Sequence, residues 1–145
     1  MVAGFGPSAA AAARSCRYLK AAEVRRVVGD SSVTGATAPS APDGVTRCDY
    51  DVGEAMDSSV HVWVQRDEAE AGYVAAKKAF ADDVEPVKGF GTRAFYVAGG
   101  FNVLYVLRRD TLLYVQYSTP SADDAATKAT VGELMKIVVP RVRTA

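Results

Sequence analysis

The chain has 145 residues, 49% of them hydrophobic and 23% charged, a profile that fits one globular domain and excludes a second core. Its 17 basic residues are balanced by 17 acidic ones, so no net field gathers a nucleic-acid backbone or holds the chain on an anionic membrane. No run approaches the roughly 18 to 20 apolar residues that cross a bilayer as a helix.

Met1 to Ser15 is small, nearly uncharged and without apolar periodicity, and reads as a flexible lead-in or linker ahead of a single domain from residue 16 to residue 145. A secretory signal carries its basic region before its apolar stretch, whereas Arg14 follows this one. Ala9 to Ala13 alternatively adds a turn to the next helix, since alanine is the best helix former. Leu19, Ala22, Val24, Val27 and Val28 predict a helix from about Tyr18 to Val28, ended by Gly29 in the left-handed conformation. Asp30 to Asp43 reads as a long, mobile surface loop with at most one short edge strand near Ser32 to Thr34.

Strands are predicted at Val45 to Tyr50 and Ser59 to Gln65, the second with Val60, Val62 and Val64 on one side and Ser59, His61, Trp63 and Gln65 on the other. A helix follows from about Glu68 to Ala81, with Asp67 as N-cap and Ala69, Tyr73, Ala76 and Phe80 on its buried side. Three more strands form a meander, Arg93 to Val97, Phe101 to Arg108 and Leu112 to Ser118, turned at Gly99-Gly100 and Arg109-Asp110. Thr119-Pro120-Ser121 then opens a last helix from Ala122 to Val139, with a stripe at Ala126, Ala129, Leu134, Ile137 and Val138.

The order α-β-β-α-β-β-β-α predicts an α+β fold, an antiparallel sheet of about five strands with helices packed on one face. Thr46-Arg47-Cys48-Asp49-Tyr50 and Thr92-Arg93-Ala94-Phe95-Tyr96 share Thr, Arg and Tyr at matching positions, an echo that a duplicated strand-strand-helix unit or chance would both produce.

Cys16 and Cys48 are the only cysteines, and they admit three readings: a disulfide, two buried free thiols, or a reactive Cys16 at a helix start. A bridge across the long loop would stabilise the fold by roughly 3.5 kcal/mol in the chain-entropy model, and would imply export, because disulfides persist mainly outside the reducing cytosol.

Cys16-x-x-Leu19, a short helix closing on Gly29, Cys48-Asp49-Tyr50, and Gly89-Phe90-Gly91-Thr92-Arg93-Ala94 ahead of a hairpin and a last helix together resemble small exported lipoprotein domains of actinobacteria, over about residues 16 to 142. The resemblance implies an extracellular or cell-envelope location, a Cys16–Cys48 disulfide, and a role in binding or sensing. This chain departs from the pattern at Ala12-Ala13-Arg14-Ser15, which make no lipobox, and a lipid on Cys16 would take that sulfur out of the bridge.

No motif names a reaction. One histidine and two separated cysteines give no zinc-ligand spacing, and neither Asp49/Asp51 nor Asp82-Asp83-x-Glu85 has the ligand pattern of a calcium loop, so no metal or other cofactor is expected. Both acidic groups read as solvated surface. Gly89-Phe90-Gly91 leads into a strand where a dinucleotide fingerprint needs a helix, and no serine sits in a nucleophile elbow.

With the valine side of the sheet against helices, the other side carries His61, Trp63, Gln65, Phe101, Val103, Tyr105, Leu107, Leu112, Tyr114 and Gln116. Such an aromatic face is covered core, a partner or homodimer interface, or a small-ligand groove. The reading adopted is a non-enzymatic exported binding or sensor domain that holds a protein partner or a small amphipathic ligand through His61, Trp63, Gln65, Phe101, Tyr105, Tyr114 and Gln116. The alternative is a small enzyme with His61 as general base.

Overall fold

Two-residue alternation in one central strand decides which side of the sheet is core. Val60, Val62 and Val64 are buried, while Ser59, His61, Trp63 and Gln65 on the opposite side are half-buried. The computed structural model describes residues 16–30, 32–37, 41, 44–53, 57–90, 93–120 and 123–143. The lead-in and added-turn readings for residues 1–15 lie outside the described residues, as do parts of the long loop, Thr92 and Ser121.

Seven antiparallel strands make one sheet: β1 (Thr34–Thr37), β2 (Val45–Val52), β3 (Ser58–Gln65), β4 (Val84–Pro86), β5 (Arg93–Val97), β6 (Val103–Arg108) and β7 (Thr111–Ser118), in the order β1-β2-β3-β7-β6-β5-β4. Six have four to eight residues and β4 has three, against the five or so expected. Both additions are edges. β1 starts at Thr34, the last residue of the Ser32 to Thr34 stretch where at most one short edge strand was expected, and runs on to Thr37, and β4 ends in Pro86, whose missing N–H is tolerated only at a sheet margin.

Three helices complete the α+β fold: α1 (Ala21–Val28), α2 (Ala69–Ala79) and α3 (Asp124–Val138). They do not share one face. α1 and α3 pack on the valine side, where Val24, Val131, Leu134, Met135 and Val138 join Val60, Val62, Leu104, Val106, Leu113 and Val115 in the main core. α2 packs on the other side, where Ala69 and Tyr73 bury Phe95, Val97, Val103, Leu107 and Leu112. Topology accounts for the split: β3 lies mid-sheet and β4 at the far margin, so the connection crosses β7, β6 and β5 and covers the apolar residues it meets there. The Thr-Arg-Tyr echo therefore ends with the strands. Tyr50 and Tyr96 both enter the main core, but the helices that follow the two strand groups lie on opposite faces.

Helix phases show where alanine misleads. Leu134 and Val138 of α3 are buried as expected, whereas Ala126 and Ala129 are exposed and Thr127, Val131 and Met135 take their places. A methyl group carries too little area to set a phase, and Thr127 enters the interior because its hydroxyl donates to the Asp123 carbonyl at 2.8 Å. Ala22 of α1 is likewise exposed. Asp123 caps α3, accepting from the Ala126 N–H at 3.0 Å. Asp67 does not cap α2; Glu68 holds that place at φ 50°, and the Asp67 side chain lies against Gly44, where a Cβ would collide with it. Gly29 ends α1 at φ 78° as predicted.

Cys16 and Cys48 form a disulfide with Cα atoms 5.2 Å apart, and no free thiol remains. Near it, the buried Tyr50 hydroxyl donates to the Leu19 carbonyl, a second tie between the start of α1 and β2. Arg141, in the 3-10 turn Val139–Arg141, grips Glu23 of α1 with two hydrogen bonds of 2.6 Å. That grip holds the Glu23 carboxyl down at about 2, against an ordinary 4.5.

Tyr50→Phe leaves the Leu19 carbonyl without its donor, and urea unfolding should show a loss of about 1–3 kcal/mol; an unchanged midpoint contradicts the tie. Because the fold lowers the Glu23 pKa, the stability it adds is present above pH 4.5 and drains away on acidification toward pH 2. The pair is exposed enough to hold this to about 1 kcal/mol. Thermal melts of Glu23→Gln should show a correspondingly shallower acid dependence than the native chain.

Candidate functional site

Cross-strand register on the second face aligns Arg47 (β2), Trp63 (β3), Tyr114 (β7), Tyr105 (β6) and Phe95 (β5) in a single row. Neighbouring rings touch along its length. Trp63 stacks on Tyr114 at 5.3 Å between centroids and 11° between planes, Tyr114 tilts against Tyr105 at 5.4 Å, and Tyr105 stacks on Phe95 at 4.9 Å. At the Phe95 end Tyr73 of α2 closes the row edge-on at 5.0 Å, with the Arg93 guanidinium over its ring. The row thus runs from core under α2 out to half-buried Tyr105, Tyr114 and Trp63 on the β3 side.

Burial pushes the Tyr105 hydroxyl up to about 12 and raises that of Tyr114, with Arg47 opposing the second shift. Both rings are neutral phenols at physiological pH. Gln65 is committed to holding Trp63: its Oε1 accepts from the indole N–H at 3.1 Å while its Nε2 donates to the Asp67 carbonyl at 2.8 Å.

A polar row runs beside the aromatic one. Asp49 lies across from His61, which lies across from Gln116. Arg47 Nε and Nη2 donate to Asp49 Oδ1 and Oδ2 at 3.1 and 3.0 Å, and this fork raises the Arg47 pKa. Asp49 Oδ1 is also 2.8 Å from His61 Nδ1, and His61 Nε2 is 2.9 Å from Ser59 Oγ. A carboxylate only accepts, so it places the neutral imidazole's proton on Nδ1 and leaves Nε2 to accept from the Ser59 hydroxyl.

Of the seven predicted site residues, His61, Trp63, Gln65, Tyr105, Tyr114 and Gln116 stand together, all half-buried on this face. Phe101 does not join the row. It occupies the β5–β6 turn, 43% exposed, with its ring against Phe80 just past α2 and its carbonyl accepting from Gln116 Nε2 at 3.0 Å. Val103, Leu107 and Leu112, expected on the open side, are sealed beneath α2.

Arg47, Asp49 and Ser59 were not predicted as site residues. Alternation along β3 puts Ser59 beside His61, but Asp49 meets the imidazole only through the β2–β3 register, which the sequence does not display. Asp49 is therefore more than solvated surface, while Asp51 is exposed as expected. Among the described residues no group of three or more His, Cys, Asp or Glu could hold a metal ion. A separate cleft of about 550 Å³ between α2 and β4–β5, lined by Tyr73, Val74, Lys77, Lys78, Pro86 and Arg93, contains none of the predicted residues.

Among known proteins, no family model, no curated protein and no solved structure matches this chain.

Asp49 sets the imidazole tautomer, and the chain has a single histidine, so long-range ¹⁵N–¹H spectra read it directly. At alkaline pH the native protein should show protonated Nδ1, and Asp49→Ala should move the population toward the Nε2–H form preferred in water. An Nε2–H imidazole in the native protein would rule out the bonding described.

Proposed function

We propose that this is an exported, non-enzymatic binding domain that holds a small amphipathic ligand on the open half of its second sheet face. The observation that carries the reading is the stacked, half-buried Trp63–Tyr114–Tyr105 row beside the polar row of Asp49, His61 and Gln116. Rings locked by one another and by Gln65 lose little freedom when a flat apolar group settles on them, and preorganisation of that kind raises affinity. The neighbouring carboxylate, imidazole and amide supply directional contacts at one edge of the ligand.

Size favours a small ligand over a protein. A stable protein interface takes about 20 to 30 residues from each side. α2 has withdrawn Phe95, Val97, Val103, Leu107 and Leu112 of this face into core, leaving an open patch of a few rings and their polar flank. A broad homodimer contact or protein partner is thereby the weaker fit. Export rests on the Cys16–Cys48 bridge, which survives outside the reducing cytosol, and on the resemblance to actinobacterial envelope domains. With the Cys16 sulfur in the bridge, a lipid on that residue is no part of this proposal. Among the described residues no helix is long and apolar enough to cross a membrane.

The test uses 8-anilinonaphthalene-1-sulfonate as a flat amphipathic probe, read by amide chemical shifts and by the fluorescence of Trp63, the chain's one tryptophan. Shifts should cluster on β3, β7 and β6, and Trp63→Ala and Tyr105→Ala, checked for native circular dichroism, should each weaken binding by about tenfold or more. Shifts mapping to the α2–β4 cleft, or affinity unchanged from the native protein in both variants, would overturn the proposal. Protein-dependent dimerisation by light scattering, lost in Trp63→Ala, would replace it with an interface reading.

A further inference from the structure

We propose that Ser59 is a nucleophile activated by His61 and Asp49, able to take an acyl or phosphoryl group from an activated ester. The geometry is a relay of three groups in the correct order. Ser59 Oγ is 2.9 Å from His61 Nε2, and His61 Nδ1 is 2.8 Å from Asp49 Oδ1, both within the reach that a nucleophile–base pair and a base–orienter pair require. Such constellations are recognised by roles and distances, whatever the chain order. Arg47 adds a fourth member by fixing both oxygens of Asp49, so the carboxylate cannot swing away from the ring.

Two features of the strand pair build the relay. Ser59 and His61 are two residues apart on β3 and so project from the same face, and Asp49 is paired with His61 on β2. Ser59 is half-buried, open to a reagent, and shares the face with Trp63 and Tyr114, where the ester's apolar part can lie. This step goes beyond the non-covalent binding proposed above and does not depend on it.

The step balances without any co-reactant. Ser59 Oγ attacks the acyl carbon or phosphorus, its proton passes to His61 Nε2, and the bond to the leaving oxygen breaks. The imidazolium then returns the proton to that oxygen, which departs as the free alcohol; nothing is oxidised or reduced. Rapid turnover is not part of the inference. On a strand the backbone N–H groups lie in the ladder, not along the side chains, so the sheet face does not aim them at a developing oxyanion. Asp51, opposite Ser59, carries a charge that opposes it. Loss of even one oxyanion donor costs about 10²- to 10³-fold in rate, so the adduct should form with activated donors and then persist.

The experiment treats the full chain with diethyl 4-nitrophenyl phosphate, an activated phosphate ester whose leaving oxygen departs in 4-nitrophenol, and locates the diethylphosphoryl adduct by peptide mass spectrometry. One adduct at Ser59 is expected, with the exposed Ser118 on the neighbouring strand as an unlabelled internal reference. His61→Gln should slow labelling by about 10²-fold or more, and Asp49→Asn should slow it measurably. If either variant fails to fold, the native chain in denaturing urea decides alone, since the relay exists only in the fold and Ser59 labelling must then fall to the level of Ser118. Absence of an adduct on Ser59, labelling of Ser59 and Ser118 alike, or an unchanged rate in folded His61→Gln overturns the proposal.

Discussion

The pairing of β3 with β7 is the constraint on which the rest of the molecule depends. It sets Val62 against Val115 and Val64 against Leu113 on one side, and Trp63 against Tyr114 and His61 against Gln116 on the other. Because side chains alternate with a period of two, a slip of one residue would exchange the faces, setting Trp63 into the space of buried valines and the valines in the open patch. Burial on the helix-covered side enforces the register. The site on the opposite side inherits its geometry from that choice, with no separate device needed to align the rings.

The crossing of α2 then divides that opposite side into two environments. Where the helix lies, Phe95, Leu107 and Leu112 are core and Tyr73 completes the aromatic row. Beyond it the same row continues half-buried through Tyr105 and Tyr114 to Trp63. An aromatic ladder anchored in core at one end and open at the other is stiffer than an isolated surface patch, since each ring is held by its neighbour. Gly72 lets the helix come close: a Cβ there would sit 3.1 Å from both Gln65 Nε2 and Leu112 Cδ2. That glycine lies directly over the amide that orients Trp63, so helix docking and site geometry are coupled at one point.

Much of this was legible in the sequence, and all but one of the failures share a cause. Alternation in Ser59 to Gln65 and in the meander gave both faces correctly, and Gly29 marked its helix end, because these signals are local. Which face a helix chooses is not local. The stripe Ala69, Tyr73, Ala76 and Phe80 says that α2 is amphipathic but not which side of the sheet receives it, and that depends on β4 lying at the far margin. The same limit hid the relay. Asp49 and Asp51 look alike in sequence, yet register places one against an imidazole and leaves the other exposed. Phe101 failed for a different reason: the strand begins two residues later, so its ring belongs to the turn and not to the pleat.

Stability alone is a poor account of the Ser59–His61–Asp49–Arg47 chain. A polar cross-strand pair contributes about 0.2–1 kcal/mol, and β-branched or aromatic residues suit a half-buried pleated face at least as well. Holding four polar side chains in one hydrogen-bonded arrangement also costs rotamer entropy, most of all for the arginine. Replacing them with threonine and valine would leave the valine-side core untouched, because none of the four faces it. What the chain does supply is a fixed tautomer, a fixed ring orientation and a hydroxyl directed at a basic nitrogen, beside a ready-stacked aromatic surface. The four side chains that supply those properties lie on the β2–β3 side of this face, away from the residues that α2 has already turned into core.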